Sequence, residues 1–118
     1  MKDASSPAYG CNMDTAERLA RLKSQVDLAC DMIKASDPKA AGAQQRSIAK
    51  LIRRISDDMT LGKYSEAVKG AGELRAAVLQ LQAAWARGES SATGRALTQV
   101  ETLAVEIERE LRRKAAGG

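Results

Sequence analysis

The residues most suited to binding chemistry are four cations in and just before the stretch QQRSIAKLIRRI. On an ideal helix, Lys39, Arg46, Lys50 and Arg53 fall within an arc of about 60° opposite Ile48. A basic row opposite an apolar stripe is typical of a solvated helix face. The same row also has the several Lys and Arg residues on one side that phosphate binding requires. The pattern leaves both interpretations open, a solvated face or a surface that binds nucleic acid or another polyanion.

Little in the sequence points to catalysis. The chain has no His, the residue that most often serves as a general base or metal ligand. Cys11 lies in a small, polar segment without a base partner, and Cys30 flanks an apolar stripe, where a small buried hydrophobic residue is expected. No glycine-rich phosphate loop is present. The sequence therefore predicts a protein that is not an enzyme and holds no cofactor or metal.

Acidic residues crowd the last predicted helix, at Glu101, Glu106, Glu108 and Glu110. Three of them lie three or four positions before a basic residue, the spacing of intrahelical ion pairs. The predicted pairs are Glu106–Arg109, Glu108–Arg112 and Glu110–Lys114. We expect them to contribute surface electrostatics rather than a reactive site.

The elements that position these residues are helices. The chain has no Phe, one Trp and two Tyr, and it is rich in Ala, Leu, Arg and Glu, which favour helix over strand. Capping residues, Pro38 and the glycines mark the helix ends. Gly62 is predicted to end the second helix in a left-handed conformation. The predicted helices are Asp14–Ala35, Pro38–Thr60 capped by Asp37, Lys63–Ala86, and Ala92–Lys114.

Each predicted helix carries one apolar stripe at steps of three and four residues, which places it on a single face. The stripe of the first helix is Leu19, Leu22, Val26, Ala29 and Ile33. Helices joined by short breaks pack antiparallel to their sequence neighbours. We therefore predict an all-α, up-down-up-down four-helix bundle. The alternatives are a three-helix core with a detached end helix, or one in which that helix is swapped within a dimer.

The expected organisation is a single bundle domain over residues 13–115. Residues 1–12 are predicted to be a flexible leader and residues 116–118 a frayed tail, and either Met1 or Met13 could be the natural start. No signal peptide is visible, and no apolar run reaches the roughly 20 residues of a membrane span. We expect a soluble intracellular protein that does not enter a membrane.

The third helix carries a second apolar stripe, which consists of Val68, Gly72, Leu79 and Ala83, with Ala76 filling the gap. It lies about 120° from the first. A smaller example on the first helix is Leu28 with Met32. Apolar residues on two sides of a helix indicate either that the helix meets two neighbours in its own bundle or that it meets a partner. Gly70 and Gly72 lie inside this helix, where each costs about 1 kcal/mol relative to Ala. Either close helix–helix approach offsets that cost, or the helix tolerates the weakness and bends there.

The function that these patterns favour is protein–protein interaction, as an adaptor, a regulatory subunit, a chaperone-like module or a self-associating scaffold. The predicted partner-binding residues are Leu28, Met32, Val68, Gly72, Leu79 and Ala83, and the partner is another protein or a second copy of the chain. The alternative is weak, non-specific nucleic-acid or polyanion binding. Its predicted residues are Lys39, Arg46, Lys50 and Arg53.

Overall fold

A computed structural model describes residues 15–35, 38–84 and 91–117 of the chain. These ranges form four helices and no strand, which confirms the all-α prediction. The helices are α1 (Thr15–Ile33), α2 (Pro38–Thr60), α3 (Tyr64–Ala84) and α4 (Ser91–Gly117). The predicted leader with Cys11, the cap at Asp37, and two residues of the predicted helices, Asp14 and Trp85, lie outside the described residues.

The helix bounds follow the local sequence signals closely. α2 begins at Pro38 and ends at Thr60 as predicted, whereas α1 ends at Ile33 instead of Ala35. α4 continues to Gly117, beyond the predicted end at Lys114, because Ala115 and Ala116 are good helix formers that nothing interrupts. The predicted and observed helix ends differ by a few residues, which is common for helix boundaries.

The turn between α2 and α3 has the glycine-dependent geometry that the sequence predicted. Gly62 has a φ of 76°, which a residue without Cβ adopts at little cost. Its N–H donates to the carbonyl oxygen of Met59 at 3.0 Å, and the N–H of Lys63 donates to that of Asp58 at 2.8 Å. These two bonds form a Schellman motif, which satisfies carbonyl groups at the end of α2.

The four helices pack in a closed ring. α1 packs against α2 and α4, and α3 packs against the same two helices, whereas the diagonal pairs make no close approach over the described ranges. Arg18 lies against Glu106 and Met32 against Thr93, so α1 and α4 run in opposite directions. The four-helix bundle is confirmed. The alternative with a detached end helix is wrong, because α4 is packed on both sides within its own chain.

The core consists of apolar side chains from all four helices. The stripe of α1 is fully buried, and in α2 Ala41, Ile48, Ile52 and Ile55 are buried while Leu51 and Met59 pack at the edge. Burial of each large aliphatic side chain contributes about 1.5–3 kcal/mol relative to exposure. The buried large side chains are Leu19, Leu22, Val26, Ile33, Ile48, Ile52, Ile55, Leu74, Val78, Leu81, Leu97, Val100, Leu103, Ile107 and Leu111.

The two glycines inside α3 differ in their surroundings. A Cβ on Gly70 would lie 3.0 Å from Cγ1 of Ile55 and 3.4 Å from Nη2 of Arg54, so α2 and α3 approach closely at this point. A Cβ on Gly72 would meet nothing within 4 Å. The predicted close approach is therefore present at Gly70 and absent at Gly72.

Candidate interaction surfaces

The outer side of α3 carries a continuous apolar strip, which we call the α3 apolar face: Val68, Gly72, Ala76, Leu79 and Ala83. Leu79 is 40% exposed. Ala76 and Ala83 are exposed, Gly72 is half-buried, and Val68 is half-buried because it packs against the core. The strip extends over about 22 Å along the helix axis, at 1.5 Å per residue.

α3 does contact both neighbouring helices, but it does so with residues other than those at the centre of this face. Gly70 approaches α2, and Arg75 reaches α4, where its Nε donates to Glu108. Leu79 and Ala83 remain exposed after both contacts are made. Contact with the two neighbouring helices therefore explains the apolar side chain at Val68, but it does not explain the one at Leu79.

The predicted pair on α1 is separate from the α3 apolar face. Leu28 is 45% exposed. Met32 is half-buried, and its sulfur accepts a hydrogen bond from Oγ1 of Thr93 at 3.5 Å. Since α1 and α3 occupy opposite corners of the ring, Leu28 does not join Leu79 in one patch. Single exposed apolar side chains such as Leu28 are common on protein surfaces.

The four predicted cations of α2 form a row on its outer side, which we call the α2 basic face: Lys39, Arg46, Lys50 and Arg53. All four are exposed, and over the described part of the chain none of them forms an ion pair. Arg54 lies beside the row, but its Nη2 is 3.0 Å from Oε2 of Glu73 on α3.

Three of the four side chains of the α2 basic face, all except that of Lys39, line an open concavity of about 380 Å³. Its lining residues are Arg46, Ala49, Lys50, Arg53, Arg54 and Asp57. Asp57 is the acidic member of this lining, and its carboxylate reduces the positive potential at one end. The concavity is charged and holds no large apolar side chain.

Most cations on the other helices have an acidic neighbour. The ion pairs are Arg18–Glu106, Lys23–Asp27, Lys34–Asp31, Lys69–Glu66, Arg75–Glu108, Arg112–Glu108 and Arg113–Glu110. Among the described residues, the other exposed cations without an ion pair are scattered: Arg21, Lys63, Arg95, Arg109. Only α2 gathers four unneutralised cations on one side of a single described helix.

Two of the three predicted ion pairs on α4 are wrong. Glu106 lies 3.7 Å from Nε of Arg18 on α1, and Glu110 lies 3.5 Å from Nη1 of Arg113. The amino group of Lys114 instead lies 5.8 Å from the ring centre of Tyr64. The Glu108–Arg112 pair is confirmed at 2.8 Å. Glu106 takes its partner from the neighbouring helix α1, which local spacing does not reveal, whereas Glu110 pairs within α4 at a step of three residues instead of four.

Glu108 is a buried carboxylate that the sequence analysis treated as a surface residue. It is 7% exposed. Its Oε1 accepts a hydrogen bond from Nε of Arg75 at 2.6 Å, and its Oε2 accepts one from Nη2 of Arg112 at 2.8 Å. The available signal was its position, four residues after the buried Ala104 and three before the buried Leu111, which places it beside the core stripe.

The environment of Glu108 keeps it ionised. Burial raises its pKa, but hydrogen bonds from Arg112 and Arg75 and their positive charges outweigh that effect, so the pKa lies below its ordinary value. Both carboxylate oxygens are occupied. An ionised carboxylate with both oxygens hydrogen-bonded is unsuited to general acid–base catalysis near neutral pH. The role of Glu108 here is to join α3 to α4.

The remaining candidates for chemistry are also structural. Cys30 is buried as predicted, and burial raises the pKa of its thiol, with a further increase from the charge of Asp27. A protonated, buried thiol is a poor nucleophile. Residues 15–35, 38–84 and 91–117 contain no group of three His, Cys, Asp or Glu side chains placed to hold a metal ion. None of the described helices is both long and apolar enough to cross a membrane.

Comparison with known proteins gives no relative from which a function could be transferred. No protein-family profile, curated protein or solved structure matches the chain. The fold and its surfaces are therefore the basis for the functional argument.

Proposed function

We propose that this chain is a non-catalytic protein–protein interaction module that uses the α3 apolar face as its contact surface. The observation that carries the proposal is the exposure of Leu79, at 40%, on a strip of which Val68 is the one member that packs against the core. Apolar side chains that continue along a helix on its solvent side gain free energy when a partner covers them. Of the forms that such a module could take, the spacing of the face favours self-association.

The α3 apolar face has the same spacing in both directions. Its members at Val68, Gly72, Leu79 and Ala83 follow steps of four, seven and four residues. In a two-fold symmetric pair, a residue i that contacts residue j of the second copy is matched by residue j contacting residue i of that copy. Two antiparallel copies of α3, centred between Arg75 and Ala76, would place Val68 opposite Ala83 and Gly72 opposite Leu79. Each contact then joins a larger side chain to a smaller one.

Two features near the centre of the face favour this arrangement. A Cβ on Gly72 would meet nothing within 4 Å, so the surface there has room for the Leu79 side chain of a second copy. Arg75, which would approach its own counterpart near the two-fold axis, forms an ion pair with Glu108 at 2.6 Å. The ion pair to α4 therefore reduces the repulsion between two Arg75 side chains.

The size of the strip sets the expected strength. A contact about 22 Å long and one helix wide covers roughly 300 Å² on each copy, compared with about 800 Å² in a standard interface. The expected complex is a weak dimer, with a dissociation constant in the micromolar range or weaker, in equilibrium with monomers of 12.6 kDa.

Light scattering coupled to size exclusion tests the proposal over a range of loading concentrations. The wild-type mass should rise toward twice 12.6 kDa as concentration increases. Leu79→Glu should remain a monomer, because the pair would bury two carboxylates without partners. Leu28→Glu is a matched control, since Leu28 has nearly the same exposure, 45% against 40% for Leu79, and lies outside the α3 apolar face. A wild type that stays monomeric at millimolar concentration, or equal loss of dimer in both variants, would refute self-association through this face.

A further inference from the structure

We infer that the α2 basic face is a binding site for the phosphate backbone of nucleic acid, independent of the α3 apolar face. The site consists of Lys39, Arg46, Lys50 and Arg53. Its binding would be sequence-independent, because contacts to phosphate groups carry no sequence information.

The four cations are available to bind an anion. Each one is exposed, and none is engaged by an acidic side chain in the described part of the chain, whereas Arg54 beside them is held by Glu73 at 3.0 Å. Binding phosphate at these four positions would therefore break no ion pair. Counterions released from the nucleic acid would supply the driving force.

The length and spacing of the row suit a series of phosphate groups. Lys39 and Arg53 are separated by about 21 Å along a helix that rises 1.5 Å per residue. That length matches about six base-pair steps of duplex, at 3.4 Å per step on each strand. Arg46, Lys50 and Arg53 follow one another at intervals of about 5–6 Å, so several phosphates can be contacted at once.

The lack of exposed large apolar side chains on α2 favours nucleic acid over other anionic partners. Helices that bind at a membrane surface insert large apolar side chains between the lipids, but the apolar stripe of α2 is buried in the bundle. Protein interfaces depend on aromatic or other large anchors. Among the residues of α2 whose burial is described, Ala43 is the one exposed apolar residue, and its side chain is small. A face that offers charge without apolar anchors suits regularly spaced phosphates best.

Fluorescence anisotropy with a labelled 20-base-pair duplex tests the site. With four contacts, the logarithm of the binding constant should fall with the logarithm of salt concentration with a slope of about −3.6. Affinity should therefore drop roughly 150-fold between 50 and 200 mM NaCl. The same measurement on a 20-nucleotide single strand should give a shallower slope, of about −2.8.

Two triple variants separate a defined site from overall charge. The site variant carries Arg46→Gln, Lys50→Gln and Arg53→Gln. The control variant removes three exposed, unpaired cations on α1 and α4 with Arg21→Gln, Arg95→Gln and Arg109→Gln. Each reduces the formal net charge from +4 to +1, and glutamine keeps the helix propensity close to that of Lys and Arg. Circular dichroism verifies that both variants are folded.

The expected result is a slope near −0.9 and loss of most of the affinity for the site variant, with the slope of the control variant nearly unchanged. Asp57→Asn, which removes the acidic group from the concavity, should strengthen binding roughly two- to fivefold. Absence of duplex binding at 50 mM NaCl, or equal losses in the two triple variants, would overturn the proposal. So would tighter binding of poly-glutamate, or of vesicles containing anionic lipid, than of the duplex. Because Leu79 is not involved, failure here leaves the dimer proposal standing, and the reverse holds.

Discussion

Replacement of Gly70 or Gly72 by alanine adds the same methyl group at two positions of α3, and the structure gives opposite consequences. In the interior of a helix, alanine is favoured over glycine by about 1 kcal/mol. At Gly72 the new Cβ would meet no atom within 4 Å, so nothing opposes this gain. Gly72→Ala should therefore stabilise the folded monomer by about 1 kcal/mol.

At Gly70 the same gain is opposed by overpacking. The new Cβ would lie 3.0 Å from Cγ1 of Ile55, whereas carbon atoms in good contact are about 3.5–4.0 Å apart. Ile55 is fully buried, so it can move only if its neighbours in the core also move. Overpacking of this kind costs about 1–3 kcal/mol. Gly70→Ala should therefore range from neutral to about 2 kcal/mol destabilising.

Urea unfolding followed by circular dichroism measures the difference between the two variants. Both substitutions are made in the Leu79→Glu background, which keeps the proteins monomeric and separates folding from self-association. The midpoint of Gly72→Ala should exceed that of Gly70→Ala by at least roughly 0.5 M urea, with similar slopes for both. Equal stabilisation by the two substitutions would refute the close approach of α2 and α3 at Gly70.

Two further predictions concern buried polar groups. Glu108→Gln should destabilise the protein at pH 7, because it removes the charge that binds Arg75 and Arg112. The folded-state pKa of Glu108 is lowered, so its contribution is fully present above the unfolded-state pKa of about 4.3 and is lost as the pH falls through the lower folded-state pKa. Unfolding free energies of wild type and variant should therefore converge in acid, and a difference that is independent of pH would argue against an ionised Glu108. Thr15→Val should raise stability by about 1 kcal/mol, because Oγ1 of Thr15 is buried and has no hydrogen-bond partner among the described residues. A lower melting temperature would show that the hydroxyl is satisfied in solution.

Local sequence signals predicted the helices and their buried sides well. Pro38 marks the start of α2 because proline restricts the backbone to a helical φ, and Gly62 follows its end because glycine permits a positive φ. Both effects are independent of the rest of the chain. The apolar stripes predicted burial because a step of three or four residues returns a side chain to the same face. These properties depend on neighbours along the chain and are readable from one sequence.

Features that depend on contacts between helices were predicted less well. Glu108 was paired correctly with Arg112, four residues away, but its second partner, Arg75, lies on another helix. Met32 was predicted to be a partner-binding residue, and its contact with Thr93 becomes visible only once α1 and α4 are packed together. The exposure of the α2 basic face followed from its position opposite Ile48. That its four cations form no ion pair with the described residues of α1 and α3 could not be predicted, because Glu73 on α3 pairs with Arg54 instead.

Disulfide cross-linking tests the pairing of two α3 apolar faces most directly. In a Cys11→Ser background, Ala76→Cys places a thiol beside the proposed two-fold axis, where two copies could come within the Cα separation of about 7 Å that a disulfide allows. Ala83→Cys is the control, since it would lie about 22 Å along the axis from its own counterpart. The antiparallel pairing predicts a covalent dimer for Ala76→Cys under mild oxidation and little for Ala83→Cys. Equal or faster cross-linking of Ala83→Cys, or none for Ala76→Cys, would contradict it.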